Sequence, residues 1–214
     1  MEQNPSDSLN QELMRAPLKA SLSENLDALK SLMNAALNKD LIIREFKCAG
    51  FDCALLYMEG MADTRSINDY VLEPCLREED HPDWPESERL ERLKNEVLAV
   101  GDAQVNEFFY LAVEDILNGK TAVLCEGSPF ALGLETRGYE KRPVGKTINE
   151  SVVLGPHEGF VENLRTNITL MRRIVRSPML VSEMIKVGKE LPTQISMLYL
   201  KGVVDPAILE EMRR

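Results

Sequence analysis

The chain has 214 residues, 44% of them hydrophobic, with 25 Lys/Arg against 35 Asp/Glu and a formal net charge of -10. That is enough apolar material for one large or two small buried cores, which excludes a disordered tail, and the acidic balance argues against nucleic-acid binding. Four cysteines, Cys48, Cys53, Cys75 and Cys125, show neither Cys-x-x-Cys spacing nor a close histidine. They read as small core residues of a reducing compartment, with no metal and no cofactor expected. The first residues lack a secretory pattern and no window reaches the ~18 apolar residues of a membrane span, so the sequence reads as soluble and intracellular.

Residues 1–20 are polar without a clear period and read as a flexible arm. Leu22, Leu26, Leu29, Leu32, Met33, Ala36 and Leu37 then repeat at helical steps, with Ser23 as the expected cap and Asn38-Lys39-Asp40 as the stop. Two strands follow, Leu41 to Cys48 and Cys53 to Met58, joined at Ala49-Gly50 as a hairpin. A second helix is expected from Thr64 or Ser66 to Pro74, and the charged, proline-containing run from Arg77 to Pro85 reads as an exposed loop. His81 in that loop is solvated in this reading rather than metal-binding.

Pro85 suits the start of a helix carrying Leu90, Leu93, Val97 and Leu98 as far as Gly101. Another helix takes Val105, Phe108, Phe109, Ala112, Ile116 and Leu117 and closes at Asn118-Gly119. Thr121 to Glu126 and Phe130 to Thr136 form a hairpin around Gly127-Ser128-Pro129, which lacks the flanking residues of a nucleophile elbow or phosphate loop. Val152-Val153 is a short strand that breaks at Gly155-Pro156 into an amphipathic helix. Phe160, Val161, Leu164, Ile168, Met171, Ile174 and Val175 make its apolar stripe, Glu158 its first turn, and Arg172, Arg173 and Arg176 a basic end.

The sequence also repeats itself. Glu24-Asn25-Leu26 with Leu32-Met33 recurs as Glu162-Asn163-Leu164 with Leu170-Met171, at an offset of 138. Leu56-Tyr57-Met58-Glu59-Gly60 recurs as Leu198-Tyr199-Leu200-Lys201-Gly202, at an offset of 142. Both copies read helix, strand, loop, strand, then Gly and Asp before a further helix. The expected fold is therefore α/β (α+β): two related subdomains with small mixed sheets flanked by helices, an arm over 1–20, a first subdomain over 21–145, and a linker with a second, incomplete subdomain over 146–214. Met197 to Leu200 is expected to be a strand whose intended neighbours are partly missing.

With these residues in view, the chain resembles the N-terminal soluble domain of the A subunit of GerA-type spore germination receptors. The resemblance runs from about Leu22 to the end. It is carried by Asp40-Leu41-Ile42-Ile43-Arg44-Glu45-Phe46, by Ala54-Leu55-Leu56-Tyr57-Met58-Glu59-Gly60-Met61 with Ile67-Asn68, and above all by Gly155-Pro156-His157-Glu158-Gly159-Phe160 with Glu162, Leu164, Thr166-Asn167 and Arg172-Arg173. Leu154 stands where the family usually has an arginine.

The resemblance implies the leading, water-soluble part of a membrane subunit. That subunit would work with B and C partners and other A copies in the spore inner membrane, in response to a small nutrient, with this segment on the cytoplasmic side. Candidate partner-binding or regulatory residues are Gly155, Pro156, Glu158, Arg165, Asn167, Arg172, Arg173 and Arg176. The basic end is expected to meet another subunit, another copy or anionic lipid, so that Arg172→Glu with Arg173→Glu would impair assembly without unfolding. A second reading places a small nutrient ligand between the two units. No catalytic residue is expected, since neither His81 nor His157 has a recognisable nucleophile partner.

Overall fold

The structure is a computed structural model that describes residues 5–138 and 159–214. Residues 5–20 are not the loose arm expected. They include helix α1 (Pro5–Arg15), whose Leu13 and Met14 pack on the core, and the chain beyond it is tied down where Leu18 N–H donates to Glu107 O at 2.8 Å. Helix α2 (Leu22–Leu32) is capped by Ser21, not Ser23: the Ser21 hydroxyl accepts from Glu24 N–H. It buries Leu22, Leu26, Leu29 and Leu32.

Strands β1 (Leu41–Cys48) and β2 (Phe51–Met58) form the expected hairpin. Ala49 and Gly50 both have positive φ, as a two-residue hairpin turn that matches strand twist requires. The next helical run continues from α3 (Thr64–Ile67) through a wider π turn over Asn68–Leu72 into α4 (Glu73–Arg77). Pro74 lies inside it and has no N–H to give to Tyr70 O, but that carbonyl is satisfied by Ala99 N–H at 3.1 Å. Helix α5 (Arg89–Arg92) and a second π turn over Leu93–Val97 follow, starting later than Pro85 predicts.

The helix expected from Val105 divides. Strand β3 (Ala103–Asn106) comes first, and α6 (Phe109–Leu117) starts beyond Phe108. The reason is that these four residues break the apolar pattern, Val105 exposed and the polar Asn106 buried, beside a longer helical one that conceals them. Strands β4 (Thr121–Cys125) and β5 (Ala131–Leu134) complete a sheet of order β1-β2-β4-β5-β3, antiparallel throughout rather than mixed.

Helices cover both faces of this sheet, so its central strands read as continuous apolar runs. Alternate residues sort cleanly: Ala54, Leu56, Met58, Ala122 and Leu124 face α1, α2 and α6. Cys53, Leu55, Val123, Cys125 and Leu132 face the helices between Ile67 and Val97.

The second unit is smaller. Helix α7 (Leu164–Ile174), strands β6 (Leu180–Val187) and β7 (Thr193–Leu200) in a two-stranded antiparallel sheet, and α8 (Pro206–Arg213) repeat the order of α2, β1, β2 and α3. The structure changes the alignment of the repeat. α2 and α7 have the same length and begin at Leu22 and Leu164, an offset of 142, so the motif match at 138 is displaced by one helical turn. β2 and β7 also stand 142 apart and β1 and β6 stand 139 apart. A shorter helix-to-strand connection and a longer hairpin turn, closed at Gly188, account for that step.

Helix α7 starts just after Asn163, whose side chain accepts from Thr166 N–H, later than the apolar pattern predicts. Phe160 and Ile174 are about 70% exposed and only Ile168 of the predicted stripe is buried, so among the described residues little packs against that face. Gly155, Pro156, Glu158 and His157, with the Val152-Val153 strand, lie outside the described residues.

Candidate functional site

The connection between α2 and β1 is rich in short polar side chains that sequence reading treats as a helix stop. Asn34, Asn38 and Asp40 are all buried there, and each reaches the second unit. Asn34 adopts a left-handed conformation (φ 51°), which Asn tolerates. Its amide donates to Pro178 O at 3.1 Å and its Oδ1 accepts from Lys201 Nζ at 2.6 Å.

At the centre is Arg172 of α7, only 3% exposed. Its Nε donates to Asp40 Oδ2 at 2.8 Å and its Nη2 to Asp40 Oδ1 at 3.0 Å, a bidentate clasp. Nη2 also reaches Asn38 Oδ1 at 2.9 Å, and Nη1 reaches Leu180 O at 2.6 Å. The Oδ1 of Asn38 accepts from Ser182 N–H at 2.8 Å as well, while its amide donates to Met33 O at 2.7 Å.

Every nitrogen of the buried guanidinium is thus partnered, which is the condition under which a buried charge is tolerated. The arrangement leaves no group free for acid–base or nucleophilic work. What it does is fix α7 and the start of β6 against the first unit.

A close backbone approach supports the same junction. Gly60 has φ +81°, and a Cβ there would lie 2.3 Å from Thr169 Oγ1 on α7. Beside it, Arg165 pairs with Glu59 at 2.5 Å, with the arginine side chain 75% exposed, so this rim pair contributes about 0–1 kcal/mol.

The remaining candidates fall into different roles. Asn167 closes the turn before α7, its Oδ1 accepting from Val161 N–H at 2.8 Å and its amide donating to Val161 O at 2.7 Å. Arg173 is half-buried, and Arg176 is exposed, bonded to Asn118 Oδ1 at 3.1 Å and Arg173 O at 3.2 Å. The three arginines therefore do not make one basic spot: Arg172 turns inward while Arg176 turns to the surface. Arg172→Glu would set a second carboxylate against Asp40 in a buried place, so the expectation that it leaves the fold intact is corrected.

Spacing carried a signal for Arg172, since it follows the buried Ile168 by four residues and so shares its face. Its acceptors, 132 and 134 positions earlier in the chain, had no such signal.

His81 stacks on Trp84, ring centroids 4.6 Å apart, and its Nε2 lies 3.0 Å from Glu78 Oε1. Among the described residues no group of His, Cys, Asp and Glu is placed to hold a metal ion. No described helix is long and apolar enough to cross a membrane.

Known proteins bear on this geometry. The sequence profile of the family described as Bacillus/Clostridium GerA spore germination protein matches residues 27–214. Spore germination protein KA of Bacillus subtilis (strain 168) is 26% identical over 197 residues, covering 91% of this chain and 35% of the relative. Stage V sporulation protein AF of the same strain is 31% identical over 193 residues, covering 88% and 38%. Spore germination protein GerLA of Bacillus cereus is 27% identical over 177 residues, covering 82% and 35%. The chain spans a little over a third of the length of these relatives.

The crystal structure of the N-terminal domain of the A subunit of the Bacillus megaterium spore germinant receptor GerK3 is similar to this fold, with a TM-score of 0.75 at 24% identity. That match covers 93% of this chain and 72% of the solved one.

Proposed function

Since the chain belongs to the GerA family of spore germination proteins, we propose that it is a non-catalytic domain of a germinant receptor A subunit, serving receptor assembly and signal transmission. The observation that carries the proposal is the buried Asp40–Arg172 junction; in this reading it makes the second unit move with the first rather than swing on a linker. A signalling domain needs such stiffness to pass a displacement from one end to the other. In this proposal the partners are B-type and C-type subunits and other A copies. The proposed location is the cytoplasmic side of the spore inner membrane, with anionic lipid as a neighbouring surface.

The surface available to a partner is on the second unit. Ile174, Leu191, Val203, Ile208 and Met212 are all more than half exposed, and α8 buries none of its residues. In this proposal Arg165, already paired with Glu59, and the half-buried Arg173, both on α7, supply charge that orients an approach. Arg172 is withdrawn from the contact set, and its part is to hold the face in place.

The test is a full-length subunit carrying Arg165→Glu and Arg173→Glu. The isolated domain should keep its melting temperature within a few degrees, while receptor complexes recovered from spores fall and germination slows. Normal germination with normal receptor levels would reject the proposal.

A further inference from the structure

The hairpin of the second unit ends in a bare apolar tip. Its base is held at the junction, where Leu180 O accepts from Arg172 and Ser182 N–H donates to Asn38. Burial then falls along β6, from Leu180, Val181 and Ser182 to the exposed Lys186 and Val187, and Thr193, Gln194 and Ile195 at the start of β7 are exposed too. At eight residues β6 is about 24 Å long, so the tip projects well clear of the clasp. Helix α8 stops short of it, with its last turn tied to Glu183 by Arg213.

The tip has two chemically different sides. Ile185 and Ile195 are directly opposed across the strands and Val187 follows Ile185 by two, so the three share one face. Leu191, in the turn, is 87% exposed, and Val187 is about half exposed. Lys186 lies on the opposite face and Lys189 in the turn. Both lysines are exposed and, among the described residues, neither enters an ion pair. The turn is tight: Gly188 has φ +101°, and a Cβ there would lie 2.8 Å from Leu191 O. Pro192 follows, a residue with no N–H to satisfy outside water.

Charge is divided between the units in the same sense. Residues 159–214 carry nine Lys/Arg and six Asp/Glu, against 16 and 29 in residues 1–158. At the tip Glu190 offsets one lysine and leaves a net charge of +1. A negatively charged plane therefore attracts this end of the molecule and repels the other. A protein partner is a poorer match, because a stable interface takes about 20–30 residues a side and the tip from Lys186 to Ile195 has ten.

We propose that the β6–β7 tip is a lipid-contact element that seats in the headgroup layer of an anionic bilayer. Leu191, Val187 and Ile195 enter the boundary between headgroups and acyl chains, while Lys186 and Lys189 stay at the level of the lipid phosphates. Insertion is shallow, since the outer edges of a two-stranded sheet carry backbone groups that need water. Because the base of the hairpin is fixed by the Arg172 clasp, contact at the tip sets how the domain stands on the surface. The inference rests on the reading above only in taking anionic lipid as a neighbour. Its test contains lipid and no other subunit, so it and the assembly role fail separately.

The experiment is flotation of this 214-residue protein with vesicles of phosphatidylcholine alone and of phosphatidylcholine with phosphatidylglycerol at about 2:1. Mixed vesicles should carry the protein at low salt, and neutral vesicles or high salt should cut the bound fraction about fivefold. Leu191→Asp, at an exposed position, should weaken binding about tenfold, as should Lys186→Gln with Lys189→Gln. A polarity-sensitive dye on Leu191→Cys should shift to the blue on mixed vesicles, and the same dye on Asn95→Cys in the first unit should not. No binding to mixed vesicles at about 5 mM lipid, equal binding by Leu191→Asp, or an equal dye shift at Asn95→Cys would overturn the proposal. So would vesicles left unbound by the unaltered protein while Leu191→Asp lowers recovery of receptor complexes from spores, which would make the tip a protein contact.

Discussion

Asp40→Ala is the perturbation whose outcome depends most on the junction. It removes two of the four hydrogen bonds made by a guanidinium that is 3% exposed, leaving only Asn38 Oδ1 and Leu180 O as acceptors. Stranding one partner of a buried ion pair costs about 3–5 kcal/mol. At about 2–4 °C per kcal/mol for a chain of this size, the melting temperature should fall by about 6–20 °C. Glu59→Ala, which breaks the exposed pair with Arg165, should cost no more than about 1 kcal/mol.

Urea and thermal unfolding of both variants give the comparison, and amide exchange locates the effect. Loss of protection should start in β6 and α7 and spare the β2–β4 pairing. The apolar pair Asp40→Leu with Arg172→Met should recover part of the loss, because a buried ion pair exchanged for matched apolar volume is often neutral. If Asp40→Ala and Glu59→Ala fall within about 0.5 kcal/mol of each other, the reasoning about burial is wrong.

Gly60→Ala meets two obstacles, a positive φ and the approach of Thr169 Oγ1, and should cost about 2 kcal/mol by denaturation. Adding Thr169→Ala should return only the steric part. The Glu183 carboxyl is held below its usual value mainly by hydrogen bonds from Arg213, and its charged form therefore stabilises the fold above the ordinary Glu range near 4.5. That contribution should vanish as pH falls through the lowered value, and amide exchange in α8 should rise there and not between pH 6 and 8. The Cys48 and Cys53 thiols are pushed up by hydrogen bonding to Cys75 and Cys125 and then by burial. All four cysteines, each buried, should resist a thiol reagent at pH 8 until denaturant is added, and fast reaction of any one would contradict the packing described.

Much of the first unit was legible because its signals are local. The β1–β2 hairpin follows from two β-rich runs around a Gly turn, and α6 closes at Asn118-Gly119 as its cap residues predict. The failures have physical causes. β3 was hidden because its exposed Val105 and buried Asn106 reverse the usual apolar pattern, and nine residues of period 3.6 stand beside it. Residues 1–20 looked structureless because the few apolar residues of α1 gain stability from α6, which lies far along the chain. The repeat was found through identities, but those identities matched α2 to α7 one turn out of step, since a helix presents similar patterns at successive turns. The junction was the least legible part. Arg172 looked like surface charge because its acceptors come from a connection that sequence reading took for a helix stop, and only the folded arrangement brings them together.

The central claim is that the polar junction holds the two units as one piece, and a distance between them tests it directly. Spin labels at Asn95→Cys in the first unit and Gln194→Cys in the second occupy exposed positions, and the native cysteines are buried. The account predicts a single narrow distance distribution for the otherwise unaltered protein, and a broad one when Asp40→Ala is added. A distribution already broad with the junction intact, or one that Asp40→Ala leaves narrow, would contradict it.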